Sequence, residues 1–156
     1  MKAQKGLFFL LVIILLTATA MAQSSASVVK VSAANVSVKK GGSATATVML
    51  NIQGGYHINS NRPSESYLIA TALKLTKANG LTLGPVIYPK AKMQKFSFSE
   101  KPLSVFDGQA VLKFTVRAGA AAASQTVNGK LTIQACNDEQ CLRPQTVDVS
   151  ISIDVN

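Results

Sequence analysis

LTIQACNDEQCLRPQTVDVSISIDV, running from Leu131 to Val155, is two apolar-polar alternations joined by a short polar turn. After the turn, Val147, Val149, Ile151, Ile153 and Val155 alternate with Asp148, Ser150, Ser152 and Asp154. A period of two sends these sets to opposite faces, which makes a strand with one buried and one wet side. Before the turn, Leu131, Ile133 and Ala135 form a shorter set of the same kind. Asn137-Asp138-Glu139-Gln140 is a four-residue hairpin connection between them.

The same pattern extends outward through the chain. Ala44, Ala46, Val48, Leu50 and Ile52 alternate with polar residues, as do Ala110, Leu112, Phe114 and Val116. Further strands are expected over residues 28–38, 67–75, 81–88 and 130–135. Gly41-Gly42, Gly54-Gly55, Asn79-Gly80, Asp107-Gly108 and Asn128-Gly129 punctuate them as turns. Residues 118–124, AGAAAAS, read as a flexible loop, and residues 24–27 as a frayed end. Seven or eight short strands with frequent turns predict an all-β chain, an immunoglobulin-like β-sandwich.

Cys136 and Cys141 are the only cysteines, too close in sequence for the inter-sheet disulfide of antibody domains. In the simplest hairpin register they stand opposite one another. Opposed strand residues have Cα atoms about 4.5–5.5 Å apart, within reach of a disulfide. So small a ring constrains the unfolded chain by only about 2 kcal/mol. A structural clip and a redox centre both remain open on these grounds. The register carries a conflict, however. Pairing 136 with 141 sets odd positions before the turn against even positions after it, yet both apolar sets are odd. Both reach one core only if the ladder breaks, and Pro144, lacking an N–H, is the natural place. The tip bearing the cysteines is therefore expected to bend away from the ladder as a separate projection. Arg143 and Lys130 would favour a thiolate there, Asp138 and Glu139 would oppose it, and no histidine is near in sequence.

Residues 1–22 read as a secretory signal peptide. Lys2 and Lys5 form its basic start, residues 7–16 its apolar centre, and Ala20-Met21-Ala22 its cleavage site. The apolar run is shorter than the roughly 20 residues of a membrane span. No cysteine stands at the cleavage point to carry a lipid. Residues 23–156 are expected to form one domain, periplasmic or secreted, with no membrane span after cleavage. Loss of Lys2 and Lys5 takes the formal charge from +9 to +7. Nucleic acid is not an expected partner, since the basic residues are spread along an exported chain. The one loose cluster is Lys90, Lys92, Lys95 and Lys101, and the balance reads as a solvated surface.

Two connections are longer than a plain sandwich needs. Residues 54–66 are polar with one Tyr and one His, and residues 89–105 carry Phe96 and Phe98 on a polar background. Such stretches often carry function; alternatively both Phe side chains fold back onto a sheet edge. His57 is the only histidine, and Met49 and Met93 lie at no ligand spacing, so a metal site is not expected and His57 reads as solvated. Hydrolase chemistry has no support, with no Gly-x-Ser-x-Gly elbow and no paired acids.

QACNDEQCLRPQTVDVSI, preceded by GYHINSNRP, YLIATALKL, VIYP and LSVFDGQAVLKFTV, resembles the periplasmic N-terminal domain of the thiol:disulfide interchange protein DsbD. The likeness runs from about Val28 to the end, and its most specific element is the close cysteine pair followed by Pro and a final strand. The resemblance implies an immunoglobulin-like sandwich whose cysteines cycle between dithiol and disulfide without metal or organic cofactor. Carried over, Cys136 and Cys141 are the redox pair, Cys141 forms the mixed disulfide, and Phe96 or Phe98 supplies an aromatic cap. The implied partners are a thioredoxin-like or membrane electron-carrier protein and disulfide-bearing periplasmic proteins. Full-length members continue into membrane and thioredoxin-like domains, so this chain, ending at Asn156, is expected to draw electrons from a separate protein. The other reading kept open is a secreted protein- or glycan-binding module with a purely structural disulfide, with Tyr56, Phe96 and Phe98 as contacts.

Overall fold

A computed structural model describes residues 23–156; the expected signal peptide, residues 1–22, lies outside the described residues. One helical turn, α1 (Ser25–Val28), precedes β1 (Val29–Ala33), β2 (Val36–Val38), β3 (Ser43–Ile52), β4 (His57–Asn59), β5 (Ala72–Leu75) and β6 (Leu81–Leu83). There follow β7 (Lys92–Gln94), β8 (Leu103–Asp107), β9 (Gln109–Ala118), β10 (Gln125–Ile133), β11 (Ala135–Cys136) and β12 (Gln145–Val155). They form three four-stranded sheets, ordered β1-β3-β9-β6, β2-β12-β10-β5 and β11-β4-β8-β7. The first two are the faces of the predicted immunoglobulin-like sandwich.

The core follows from the alternations. Val48, Leu50, Leu112, Phe114 and Val116 from the first sheet share one buried cluster with Val127, Leu131, Ile133, Ile151 and Ile153 from the second. Burying each large aliphatic or aromatic side chain contributes about 1.5–3 kcal/mol. Residues 28–38 do not make one strand. Their apolar positions change phase, from Val29, Val31 and Ala33 to Val36 and Val38. At that phase change the chain crosses between sheets: β1 pairs antiparallel with β3, and β2 pairs parallel with β12. Only Ala72–Leu75 of the strand expected over 67–75 is extended in a ladder, pairing with β10.

The hairpin breaks where parity requires. Leu131 pairs with Val147 and Ile133 with Gln145, which sends both apolar sets into the core. Beyond Gln134 and Pro144 the pairing resumes one residue out of step. The Leu142 N–H donates to the Ala135 carbonyl at 2.7 Å, and Cys136 bridges to Cys141. The tip does not stand free, however. β11 leaves the second sheet and pairs with β4 in the third.

The segment read as a frayed end holds this break together. Ser25 is fully buried. Its hydroxyl donates to the Arg143 carbonyl at 2.8 Å and accepts the Ala135 N–H at 2.9 Å. A slipped ladder leaves such groups unpaired, and a buried unpaired backbone group is costly. One hydroxyl from α1 therefore stitches both stems of the cysteine hairpin.

Ser25→Ala strands the Ala135 N–H. The expected loss is about 1–3 kcal/mol of unfolding free energy, read by urea denaturation, with faster hydrogen exchange at Ala135. Parental exchange at Ala135 in the variant would rule the stitch out.

Candidate functional site

The third sheet is built from the two long connections. Gly55, at φ +81°, takes the turn into β4 in a conformation that favours glycine. β4 pairs with β8 through His57–Asp107, Ile58–Phe106 and Asn59–Val105, and β7 lines the far edge of β8. The cysteine strand β11 closes the other edge, with Ala135 opposite Ile58 and Cys136 opposite His57. Opposed residues share a face. Ala135, Ile58 and Phe106 accordingly enter the main core. Cys136, His57, Asn59, Leu103 and Val105 take the other face.

That second face is covered by the segment carrying Phe96. Phe96, Leu68, Leu103 and Val105 form a small core of their own, with Cys141 packed against it. Phe96 is buried and stacks on the His57 ring with centroids 3.9 Å apart and planes at 20°. Phe98 stacks on Phe96 in turn at 5.6 Å and is 36% exposed. A column of three rings thus runs outward from beside Cys136 to solvent. The Ser97 hydroxyl donates to the Asp138 carbonyl, tying the Phe96 segment to the cysteine turn. Within that turn the Asn137 side-chain oxygen accepts the N–H groups of Glu139 and Gln140 at 3.0 and 2.8 Å. Gln134, at the ladder break, accepts the Asn59 side-chain N–H and the Ile69 N–H, both at 3.0 Å, fixing the segment after β4.

Cys136 and Cys141 are joined as a disulfide, with Cα atoms 3.9 Å apart. Cys136 is wholly buried, whereas Cys141 is half-buried. Of the residues named from the sequence, the fold brings Cys136, Cys141, Phe96 and Phe98 to one place. Arg143 is exposed, and Lys130 pairs with Asp148 on the solvated face of the second sheet. Tyr56 shares a groove with His57 and Phe96, its hydroxyl donating to the Gln23 side chain at 3.3 Å.

His57 is not a solvated loop residue. It is 4% exposed, on a strand, directly across from Cys136. Burial pushes its pKa down to about 4, against the opposing pull of Asp138 and Asp107. Its Nε2 is buried without a hydrogen-bond partner among the described residues. Beside it opens a polar groove of about 450 Å³ lined by Tyr56, Lys92, Phe96, Asp107 and Asp138. Lys92 is paired with Asp107 at its rim.

Residues 25–153 match the family described as thiol:disulfide interchange protein DsbD, N-terminal. The chain belongs to the DsbD N-terminal family. No curated protein sequence matches it. Among solved structures it is similar to the reduced DsbD N-terminal domain of Neisseria meningitidis, at 21% identity over 69% of this chain and 75% of that one, with a TM-score of 0.47. It is also similar to the N-terminal periplasmic domain of ScsB from Proteus mirabilis, at 16% identity and a TM-score of 0.52. That match covers 81% of this chain and 45% of the ScsB chain, and it shares the fold. The DsbD N-terminal family is one of periplasmic domains. No helix among the described residues is long and apolar enough to cross a membrane.

Neutral burial of His57 has a pH signature. The unfolded chain protonates His57 near 6.5 and the folded chain only near 4, so the unfolded state binds more protons between those values. Stability should fall as pH drops through that window, by up to about 3 kcal/mol. His57→Phe lacks this component, so the wild-type-minus-variant difference in urea midpoint should shrink as pH falls from about 6.5 to about 4. A difference that is flat with pH would contradict the burial argument.

Proposed function

We propose that this domain is an extracytoplasmic thiol–disulfide exchange module relaying electrons through Cys136 and Cys141. Membership of the DsbD N-terminal family and the disulfide between the chain's only cysteines support it. The observation that carries it is the unequal setting of the two sulfurs. Cys141 sits half-buried against the small core of Leu68, Phe96, Leu103 and Val105, while Cys136 is fully buried.

In this reading Cys141 exchanges with partners and Cys136 resolves. The thiolate of Cys141 attacks a partner disulfide, a mixed disulfide forms, and Cys136 displaces the partner. Phe96 and Phe98 act as the cap. Phe96 packs over the pair in the resting domain, and a docking partner displaces it to reach Cys141. Partners are a thioredoxin-like or membrane electron-carrier protein and disulfide-bearing periplasmic proteins. Export by cleavage after Ala22 places the domain among them. The chemistry uses only sulfur, protons and electrons.

Two measurements test the reading. Cys136→Ser should trap a stable covalent complex with a thioredoxin-like protein lacking its own resolving cysteine, and Cys141→Ser should not. The reduction potential of the wild-type pair should lie above about −300 mV, the range of exchangeable rather than structural disulfides. A lower potential together with no trapped complex would leave the disulfide a structural clip.

A further inference from the structure

The exchange reading leaves one chemical step without an agent. Cys136 must lose its proton inside the protein before it can displace a partner from Cys141. It is fully buried, whereas the carboxylates nearest in sequence, Asp138 and Glu139, are exposed. Across the β11–β4 ladder, however, its opposed residue is His57, on the same face. Opposed side chains in such a pair have Cβ atoms about 4.5–5.5 Å apart. The imidazole Nε2 there is buried and unpartnered. Native proteins rarely keep such an atom, because it forfeits about 1–3 kcal/mol. A disulfide has no S–H to offer, so a nitrogen left unpartnered in the oxidised chain gains a candidate partner in the dithiol.

We propose that His57 is the base for Cys136 in the resolving step, gated by the Phe96 ring stacked on it. The proposal rests on the exchange reading above. In the dithiol, the Cys136 S–H donates to Nε2. After Cys141 has formed the mixed disulfide, that proton passes to Nε2 as the Cys136 electron pair forms the bond to the Cys141 sulfur. The mixed S–S bond breaks, and its electron pair leaves on the partner's sulfur. The proton on His57 then passes to that thiolate or to water. Two electrons have moved to the partner, and the Cys136–Cys141 disulfide is restored.

The gate follows from what suppresses the base. Under Phe96 the ring is buried and disfavours a proton. A partner that lifts the cap rehydrates the ring, and its basicity returns toward that of ordinary histidine. The charged groups around it then assist: Asp138 and Asp107 favour the imidazolium, while Lys92 is engaged by Asp107. Closed, the base is idle; opened by a partner, it works.

The test uses the reduced wild-type chain and a chromogenic aryl disulfide at neutral pH. Cys141 should release one aryl thiol in a first phase, and resolution by Cys136 a second. His57→Phe should leave the first phase within about twofold and slow the second at least tenfold, general-base catalysis being worth about 10²–10⁴. His57→Ala should show the same slow phase, accelerated by added imidazole. His57→Tyr, which keeps a ring under Phe96, guards against a folding defect and should be as slow as His57→Phe. An unchanged second phase in His57→Phe and His57→Tyr, or no acceleration of His57→Ala by imidazole, overturns the base. A wild-type chain releasing only one equivalent overturns the exchange reading, and the base with it.

Discussion

A one-residue slip at Gln134 and Pro144 governs the architecture of this domain. Both apolar sets flanking the cysteine turn occupy odd positions, so the long β10–β12 ladder must pair odd with odd to fill the core. Cys136 and Cys141 pair even with odd. Both pairings cannot belong to one ladder. The slip reconciles them, turning β11 out of the second sheet and onto β4. Without it the cysteines would lie on the sandwich surface as an ordinary hairpin tip, with no third sheet and no second core to enclose them.

The same slip creates polar debts, and the site's neighbours discharge them. Pro144 has no N–H to leave unpaired. Ser25 accepts the Ala135 N–H and donates to Arg143, and Gln134 turns its side chain to Asn59 and Ile69. These partners lie 110 and 75 residues from the hairpin in sequence. Their convergence ties the cysteine hairpin to α1 and β4, while the segment carrying Phe96 is held by its own small core, by stacking on His57 and by the Ser97 hydroxyl.

The sandwich was legible in the sequence because its strands have one wet face, and a wet face writes an alternation. The crossing between β1 and β2 was written too, as the phase change between Ala33 and Val36. The break at Pro144 followed from parity alone. The third sheet left no such trace. All three residues of β4 are buried, and all three of β7 are exposed, so neither alternates. Its strands therefore read as polar loops, and His57 as a solvated residue within one. Ser25 carried no signal either, since a serine in a small polar run looks the same whether frayed or buried. Phe96 and Phe98 were visible as apolar residues out of place; what separated buried from exposed was the ring beneath Phe96.

In the exchange proposed above, a buried sulfur and a half-exposed one make a better relay than two exposed ones. A thiol at the surface exchanges with any disulfide it meets, whereas Cys136 is buried. The cost is that burial also raises the energy of the Cys136 thiolate, since a charge in an apolar setting loses its hydration. If Cys136 resolves, as proposed, its proton needs an acceptor within the same enclosure. Among the described residues, the chain's only histidine stands across the ladder from that sulfur, held neutral by its burial under Phe96.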